Sequence, residues 1–218
     1  PTCLETPSFF AEIGSTEKEW INKEAGNAVA LSILYASPLS IIPLIGFGGT
    51  HYAPRQTEIA IRTKGAFGHI MPSRIIETID LKIINEMKEK SSAVAAYIDR
   101  KSISKITLKN LEKMAENIKL PILSESEIDS AGIVGWEQYL RIKNLAEEIL
   151  PGSKPIINAY SEYNNPVTIE LPEEIVSEAW KMDKTKILTG LKSIQVIHLY
   201  RKNGALMPRM IAESGMEE

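Results

Sequence analysis

The stretch Leu39-Ser40-Ile41-Ile42-Pro43-Leu44-Ile45-Gly46-Phe47-Gly48-Gly49-Thr50-His51-Tyr52-Ala53-Pro54-Arg55 decides the fold. Leu39 to Ile45 is an apolar run of strand length, and it ends in Gly46-Phe47-Gly48-Gly49. Such a run reads as a strand feeding a tight turn, where glycines let backbone N–H groups approach a ligand. Pro43 cannot donate to a β ladder, so it predicts an edge strand or a bulge.

Working outward, Pro7 to Ile13 reads as a buried strand entering the turn Gly14-Ser15. Thr16 with Glu19 three residues on has capping-box spacing, and a helix to about Ala36 follows. Downstream, Arg74 to Lys90 carries Ile75, Ile76, Ile79, Ile83, Ile84 and Met87 at helical spacing. Ala93 to Ile98 reads as a strand, Leu108 to Ile118 as a helix and Leu120 to Leu123 as a short strand. Strands alternating with helices predict an α/β fold: a layered mixed or parallel sheet with helices on both faces.

The polar stretch Ser124-Glu125-Ser126-Glu127, followed by Asp129-Ser130-Ala131-Gly132, marks an expected boundary. Residues 1–129 are then an α/β domain and residues 130–218 a small α+β C-terminal extension. Within the extension, Val134 to Leu150 reads as a helix stopped by Pro151-Gly152, Ile156 to Tyr160 as a strand and Pro172 to Met182 as a helix. Ile194 to Tyr200 and Ala205 to Ile211 flank Lys202-Asn203-Gly204, a hairpin signal, and Pro208 makes the second strand an edge.

Across 218 residues, 44% hydrophobic and 24% charged content excludes disordered, collagen-like and coiled-coil classes. Cys3 is the sole cysteine, so no internal disulfide forms, and the start shows no secretory leader pattern. A cytoplasmic protein is the expectation. The apolar stretches Ala28 to Ala36 and Leu39 to Phe47 are broken by Ser37, Pro38 and Pro43 and fall short of the ~20 residues that span a bilayer, so no membrane association is expected. The net charge of −3 supplies no global field for DNA, and any polyanion contact must be local. Two local basic groups stand out: Arg55, Arg62 and Lys64, and Arg100, Lys101, Lys105 and Lys109. Bordering one cleft, they would hold phosphates; otherwise they are solvated surface charges.

Of the three histidines, His51 and His69 lie in small-residue stretches read as loops, while His198 sits in an alternating run and reads as structural. A neutral imidazole ligates zinc or shuttles a proton; the alternative for each is a hydrogen-bonded structural side chain. Glu12 and Asp99 end predicted strands and face one sheet edge if the strands are parallel. Two histidines and one carboxylate suffice for a catalytic zinc, whereas the bland role of each carboxylate is a cap or a turn. The glycine loop is not a Walker A sequence and does not complete Gly-x-Gly-x-x-Gly.

Four stretches together resemble the D-aminoacyl-tRNA deacylases of the archaeal and plant type: Pro7-Ser8-Phe9-Phe10-Ala11-Glu12-Ile13-Gly14-Ser15-Thr16, Gly46-Phe47-Gly48-Gly49-Thr50-His51-Tyr52-Ala53-Pro54-Arg55, Ala66-Phe67-Gly68-His69-Ile70 and Ile98-Asp99-Arg100-Lys101. The resemblance covers Pro1 to about Asp129. It implies hydrolysis of the ester between a D-amino acid and tRNA, with zinc (Zn2+) as cofactor, D-aminoacyl-tRNA as substrate and a monomer or small homo-oligomer as the working form. His51, His69 and Glu12 become the expected catalytic residues, with Asp99 joining them as a metal ligand. Gly48, Gly49, Thr50, Tyr52, Arg55, Phe67 and Gly68 become the expected substrate contacts, and the loop amides the expected oxyanion donors. Thr50 replaces a family glycine, and Arg100 and Ser102 depart from the family's Asp-Trp-Lys-Gly. The family also carries a segment ahead of the Pro7 stretch, ending in His-His-Gly-Pro-Thr. The sequence reading therefore expects an incomplete N-terminal part and, as the alternative function, a non-catalytic tRNA-binding or assembly module.

Overall fold

The computed structural model describes residues 14, 16–37, 39–155, 157, 163–194 and 196–215. The chain falls into two units, Pro1–Ser40 and Ile41–Glu218. The first holds helices α1 (Glu17–Trp20) and α2 (Lys23–Leu34). The capping box forms, with the Thr16 N–H donating to Glu19 Oε2 at 3.1 Å. The single predicted helix is divided, because Asn22 starts a second one by accepting from the Glu24 and Ala25 N–H groups at 2.9 and 3.2 Å. The strand expected over Pro7 to Ile13, and Glu12 with it, lies outside the described residues.

The second unit is built on a four-stranded parallel sheet in the order β2-β1-β3-β4. Its strands are β1 (Ile42–Phe47), β2 (Gly65–Met71), β3 (Ala95–Ile98) and β4 (Ile122–Leu123). Helix α3 (Pro54–Arg62) joins β1 to β2. A 3-10 turn (Ser73–Thr78) and α4 (Leu81–Lys90) join β2 to β3, and α5 (Lys105–Asn117) joins β3 to β4. The sheet's side chains alternate between two cores. Leu44, Ala95 and Tyr97 pack with Ile59 of α3, whereas Ile45, Phe47, Ala96 and Ile98 pack with Ile84 and Met87 of α4 and Leu111 and Ala115 of α5. Helices thus cover both faces, as the alternation of elements implied.

Three local expectations are corrected. Strand β1 is interior despite Pro43, so the edge alternative fails, while the ladder with β2 does shift register between Leu44 and Ile45. That residue pairs with Ala66 of β2 before the β3 register begins at Leu44, so its missing N–H costs no rung, and its carbonyl still accepts from the Val94 N–H at 3.0 Å. The helix expected over Arg74 to Lys90 is broken at Ile79, which is extended, and restarts where Asp80 Oδ1 accepts the Ile83 N–H at 2.8 Å. The stretch around His69 is not a loop but edge strand β2, with a register shift that leaves Gly68 as the extra residue between Phe67 and His69.

Past β4 come α6 (Glu125–Val134) and α7 (Trp136–Ile149). Then follow β5 (Pro166–Glu170), α8 (Glu173–Met182), α9 (Lys184–Ser193) and β6 (Arg209–Glu213). Ile128 and Ala131 of α6 and Tyr139, Ile142 and Ala146 of α7 join the core under Leu44. β5 and β6 form a two-stranded antiparallel sheet. The chain reverses at Asn203-Gly204, with the Arg201 N–H donating to Ala205 O at 2.8 Å and single bridges at Ile197/Ile211 and Tyr200/Leu206, so the ladder partner of β6 is β5. The expected strand at Ile156 to Tyr160 lies outside the described residues except for buried Ile157. Among the described residues, no helix is long and apolar enough to cross a membrane.

Candidate active-site crevice

From β1 the chain leaves through α3 on one face toward β2, and from β3 it leaves through α5 on the other face toward β4. Adjacent strands whose connections depart in opposite directions open a crevice at their carboxyl ends, which is where open α/β sheets place ligands. Two segments border it: Gly48–Ala53 after β1 and Asp99–Ser104 after β3.

The glycine loop is pinned from below. Gly48 and Gly49 have φ of +93° and +83°, the left-handed region, and a Cβ on Gly48 would collide with Ser102 Oγ. The Gly48 N–H donates to Met71 O at 2.8 Å and the Gly49 N–H to Ser102 Oγ at 2.7 Å. Ser102 Oγ in turn donates to Asp99 O at 2.8 Å. Gln56, fully buried in α3, donates from Nε2 to Gly48 O at 3.1 Å, and its Oε1 has no partner among the described residues. At the tip, His51 and Tyr52 are exposed and meet edge to face with centroids 5.6 Å apart. Both expected oxyanion amides of the glycines are therefore engaged, while the Thr50 and His51 N–H groups donate to no described residue.

His69 is held elsewhere. It pairs with Ile45, two residues short of the sheet edge, and its Nδ1 lies 2.7 Å from Ser91 Oγ at the end of α4. Burial, and then the nearby Lys90 charge, pull its pKa below the ordinary histidine value, so the ring is neutral at neutral pH. Gly68 is what lets Ser91 in, since a Cβ there would sit 2.5 Å from Ser91 Oγ. Phe67 packs in the core beside Tyr97, edge to face at 6.2 Å. Asp99 does reach the crevice: its Oδ1 accepts the Lys101 N–H at 3.3 Å, and its Oδ2 faces Gly49, 3.9 Å from where a Cβ would stand.

Beside the crevice, a cleft of about 610 Å³ is lined by Tyr97, Asp99, Arg100, Lys101, Glu125 and Lys154, with Arg55 at its rim. Arg55 of the first basic group and Arg100 and Lys101 of the second thus border the same space, with Lys154 added. Arg55 is already committed. Its Nε and Nη2 donate to the two oxygens of Glu125, each at 2.6 Å, and its Nη1 to Glu58 at 2.5 Å. Glu125 also accepts from Tyr97 Oη at 3.0 Å and Arg62 Nη2 at 3.1 Å. Burial raises the Glu125 pKa on its own, but these donors outweigh it and hold the carboxyl below its ordinary value. Burial and then the Glu125 bond push Tyr97 up to about 12. Glu125, Tyr97 and Gln56 line or brace the candidate site without any sequence motif announcing them, and Ser102 entered the sequence reading only as a departure from the family's motif.

Among the described residues, no three His, Cys, Asp or Glu side chains are grouped to hold a metal ion. His69 is bonded to Ser91, Asp99 Oδ1 to Lys101, and Glu12 lies outside the described residues. The described donor set does not fit zinc.

The sequence profile of the D-aminoacyl-tRNA deacylase family matches residues 1–123. A D-aminoacyl-tRNA deacylase of Methanoculleus marisnigri is 46% identical over 211 residues, which are 97% of this chain and 48% of that protein. One from Methanosarcina barkeri is 45% identical over 128 residues, 59% of this chain and 42% of that protein. The crystal structure of a conserved protein of unknown function, AF0625, aligns with a TM-score of 0.49 at 34% identity, over 53% of this chain and 42% of that one. The chain spans about half the length of the curated relatives it matches along most of its own length. Their similarity runs on through the residues beyond 129.

Proposed function

The chain belongs to the D-aminoacyl-tRNA deacylase family, and we propose that it hydrolyses the ester joining a D-amino acid to tRNA. The observation that supports this most is the coincidence of the family's matched residues with the crevice at the ends of β1 and β3. In this reading water attacks the ester carbonyl, the bond from the acyl carbon to the ribose oxygen breaks, and that oxygen takes a proton as free tRNA leaves. His51, on the exposed tip, moves the proton, since an imidazole has one ring nitrogen that can accept a proton and one that can donate it. The Thr50 and His51 N–H groups replace those of Gly48 and Gly49 as donors to the developing oxyanion. The acceptor-end backbone lies along the cleft, where Arg100 and Lys101 contact phosphate. Chiral selection follows from the shape of the crevice around the α-carbon. No step is routed through zinc, which the described residues do not fit.

The test is hydrolysis of D-tyrosyl-tRNA against L-tyrosyl-tRNA by the purified chain. Selective loss of the D-ester is the expected result; equal cleavage of both esters sinks the reading. His51→Ala should lower kcat/KM by roughly 100- to 10,000-fold, the range for removing a general acid–base group, with the circular dichroism spectrum unchanged. A second reading, a tRNA-binding module, is favoured by the engagement of both glycine amides, and it predicts that tRNA is retained while neither ester is cleaved.

A further inference from the structure

Residues 196–200 divide their side chains between two cores. Ile197 and Leu199 are buried in the main core, and Val196 joins the smaller one with Val176 of α8. The alternate side chains His198 and Tyr200 gather beside Trp180 of α8. The Trp180 and Tyr200 rings stand 5.8 Å apart, tilted by 51°. His198 meets Tyr200 edge to face at 5.2 Å, with its Nε2 3.0 Å from Tyr200 Oη. Lys184, at the start of α9, reaches over Trp180, its Nζ 5.4 Å from the ring centroid. Tyr200 keeps 38% of its surface exposed and Trp180 is half-buried. Packing alone would close such rings over; here they stay open and carry a cation.

The charges around the rings are sorted. Arg201 is neutralised by Glu173, whose Oε1 accepts from its Nη2. Asp183 Oδ1 accepts the Lys186 N–H at 2.9 Å. At roughly 100° of turn per residue, Glu174 and Glu178 fall on the side of α8 away from Trp180. Lys184 and Lys202 are exposed and make no ion pair among the described residues. Open π-faces beside uncompensated cations match a ligand that carries a flat base and an anion together, which is a nucleotide. An acidic peptide would meet the lysines and leave the rings unused, and a cationic ligand would be repelled by Lys184. We propose that Trp180 and Tyr200, with Lys184 and Lys202, form a platform for an unpaired nucleotide of tRNA, its base stacked on the rings and its phosphates on the lysines. None of these residues lines the cleft beside the crevice, and all lie beyond the residues that the family profile matches, so the platform is a second place of contact. Naming tRNA rests on the deacylase reading; the stacking chemistry does not.

The test is fluorescence anisotropy of the full chain with labelled hexa-adenylate RNA and with an abasic ribose-phosphate hexamer. Hexa-adenylate should bind at least about tenfold tighter, within the range for stacking one base on an aromatic ring. Tyr200→Ala should remove most of that preference and Tyr200→Phe should keep it. Lys184→Ala and Lys202→Ala, both at exposed positions, should weaken the two ligands alike and lower the slope of log affinity against log salt by about 0.7 each. Unlabelled tRNA should displace hexa-adenylate from the unaltered protein. Equal binding of the two hexamers, binding of neither, a preference unchanged in Tyr200→Ala, or salt slopes unchanged in both lysine variants would each overturn the proposal. So would failure of tRNA to compete. A chain that prefers hexa-adenylate yet leaves D-tyrosyl-tRNA intact keeps the platform and loses the deacylase reading. Selective hydrolysis of D-tyrosyl-tRNA without any preference for the base does the reverse.

Discussion

Glu127 is 2% exposed and accepts from Lys143 Nζ at 2.8 Å, Tyr139 Oη at 3.1 Å, and the Ser124 N–H and hydroxyl at 2.9 and 2.7 Å, with Lys154 Nζ at 3.2 Å. Burial alone would raise its pKa, but the bonds from Lys143 and Ser124 outweigh that and hold it at about 2. Because the folded value lies below the ordinary 4.5, the stabilisation is full above pH 4.5 and is lost as pH falls toward 2. The amount is on the order of 3 kcal/mol. Urea unfolding across that window should show a drop in the unaltered protein that Glu127→Gln lacks, and parallel curves would refute the assignment. At neutral pH the same variant leaves Lys143 without its anion and should be markedly less stable, since breaking a buried pair strands the other charge.

At the scale of elements, the bulge in β2 and the end of α4 are fitted to one another. A Cβ on Gly68 would lie 2.5 and 2.6 Å from Ser91 Oγ and Cβ, so Gly68→Ala should destabilise by about 1–3 kcal/mol, and Ser91→Gly in the same chain should restore part of it. Urea midpoints of the single and double variants measure both effects. This contact also explains what the sequence concealed. Gly65-Ala66-Phe67-Gly68-His69 has no β-branched residue and two glycines, so it reads as a loop, and only pairing with β1 makes it a strand. Ser124-Glu125-Ser126-Glu127 reads as a polar connector, yet it is a capping box of the same form as Thr16/Glu19, with Ser124 and Glu127 closing the start of α6. The spacing was there to be read; the apolar run after it was too short to prompt it. The glycine loop and Asp99 were legible because strand ends followed by small or acidic residues have few other uses. Gln56 and Glu125 were not, because their roles depend on partners 8 and 70 residues away.

At the scale of the whole molecule, residues on both sides of the expected boundary at Asp129 share a core. Ile42, Leu44, Ala95 and Tyr97 of the sheet are clustered with Tyr139, Ile142, Ala146, Ile197 and Ile211. A chain ended after Asp129 should therefore bind the dye ANS and lose its near-ultraviolet circular dichroism while keeping helical signal. Cooperative unfolding of that fragment would instead establish residues 1–129 as a self-sufficient domain. Strand β6 makes the dependence sharper, since Ile211 packs into this core while its neighbours Met210 and Ala212 pack into the smaller one with Val176, Leu191 and Leu206. For a chain emerging from the ribosome this sets an order of events. Leu44 is synthesised well before Ile211, and at roughly 5–20 residues per second the apolar face of the sheet waits on the order of ten seconds or more for Ile211 to cover it. During that interval the newborn chain presents an unfinished hydrophobic surface, so the placement of one strand sets how long it is open to aggregation.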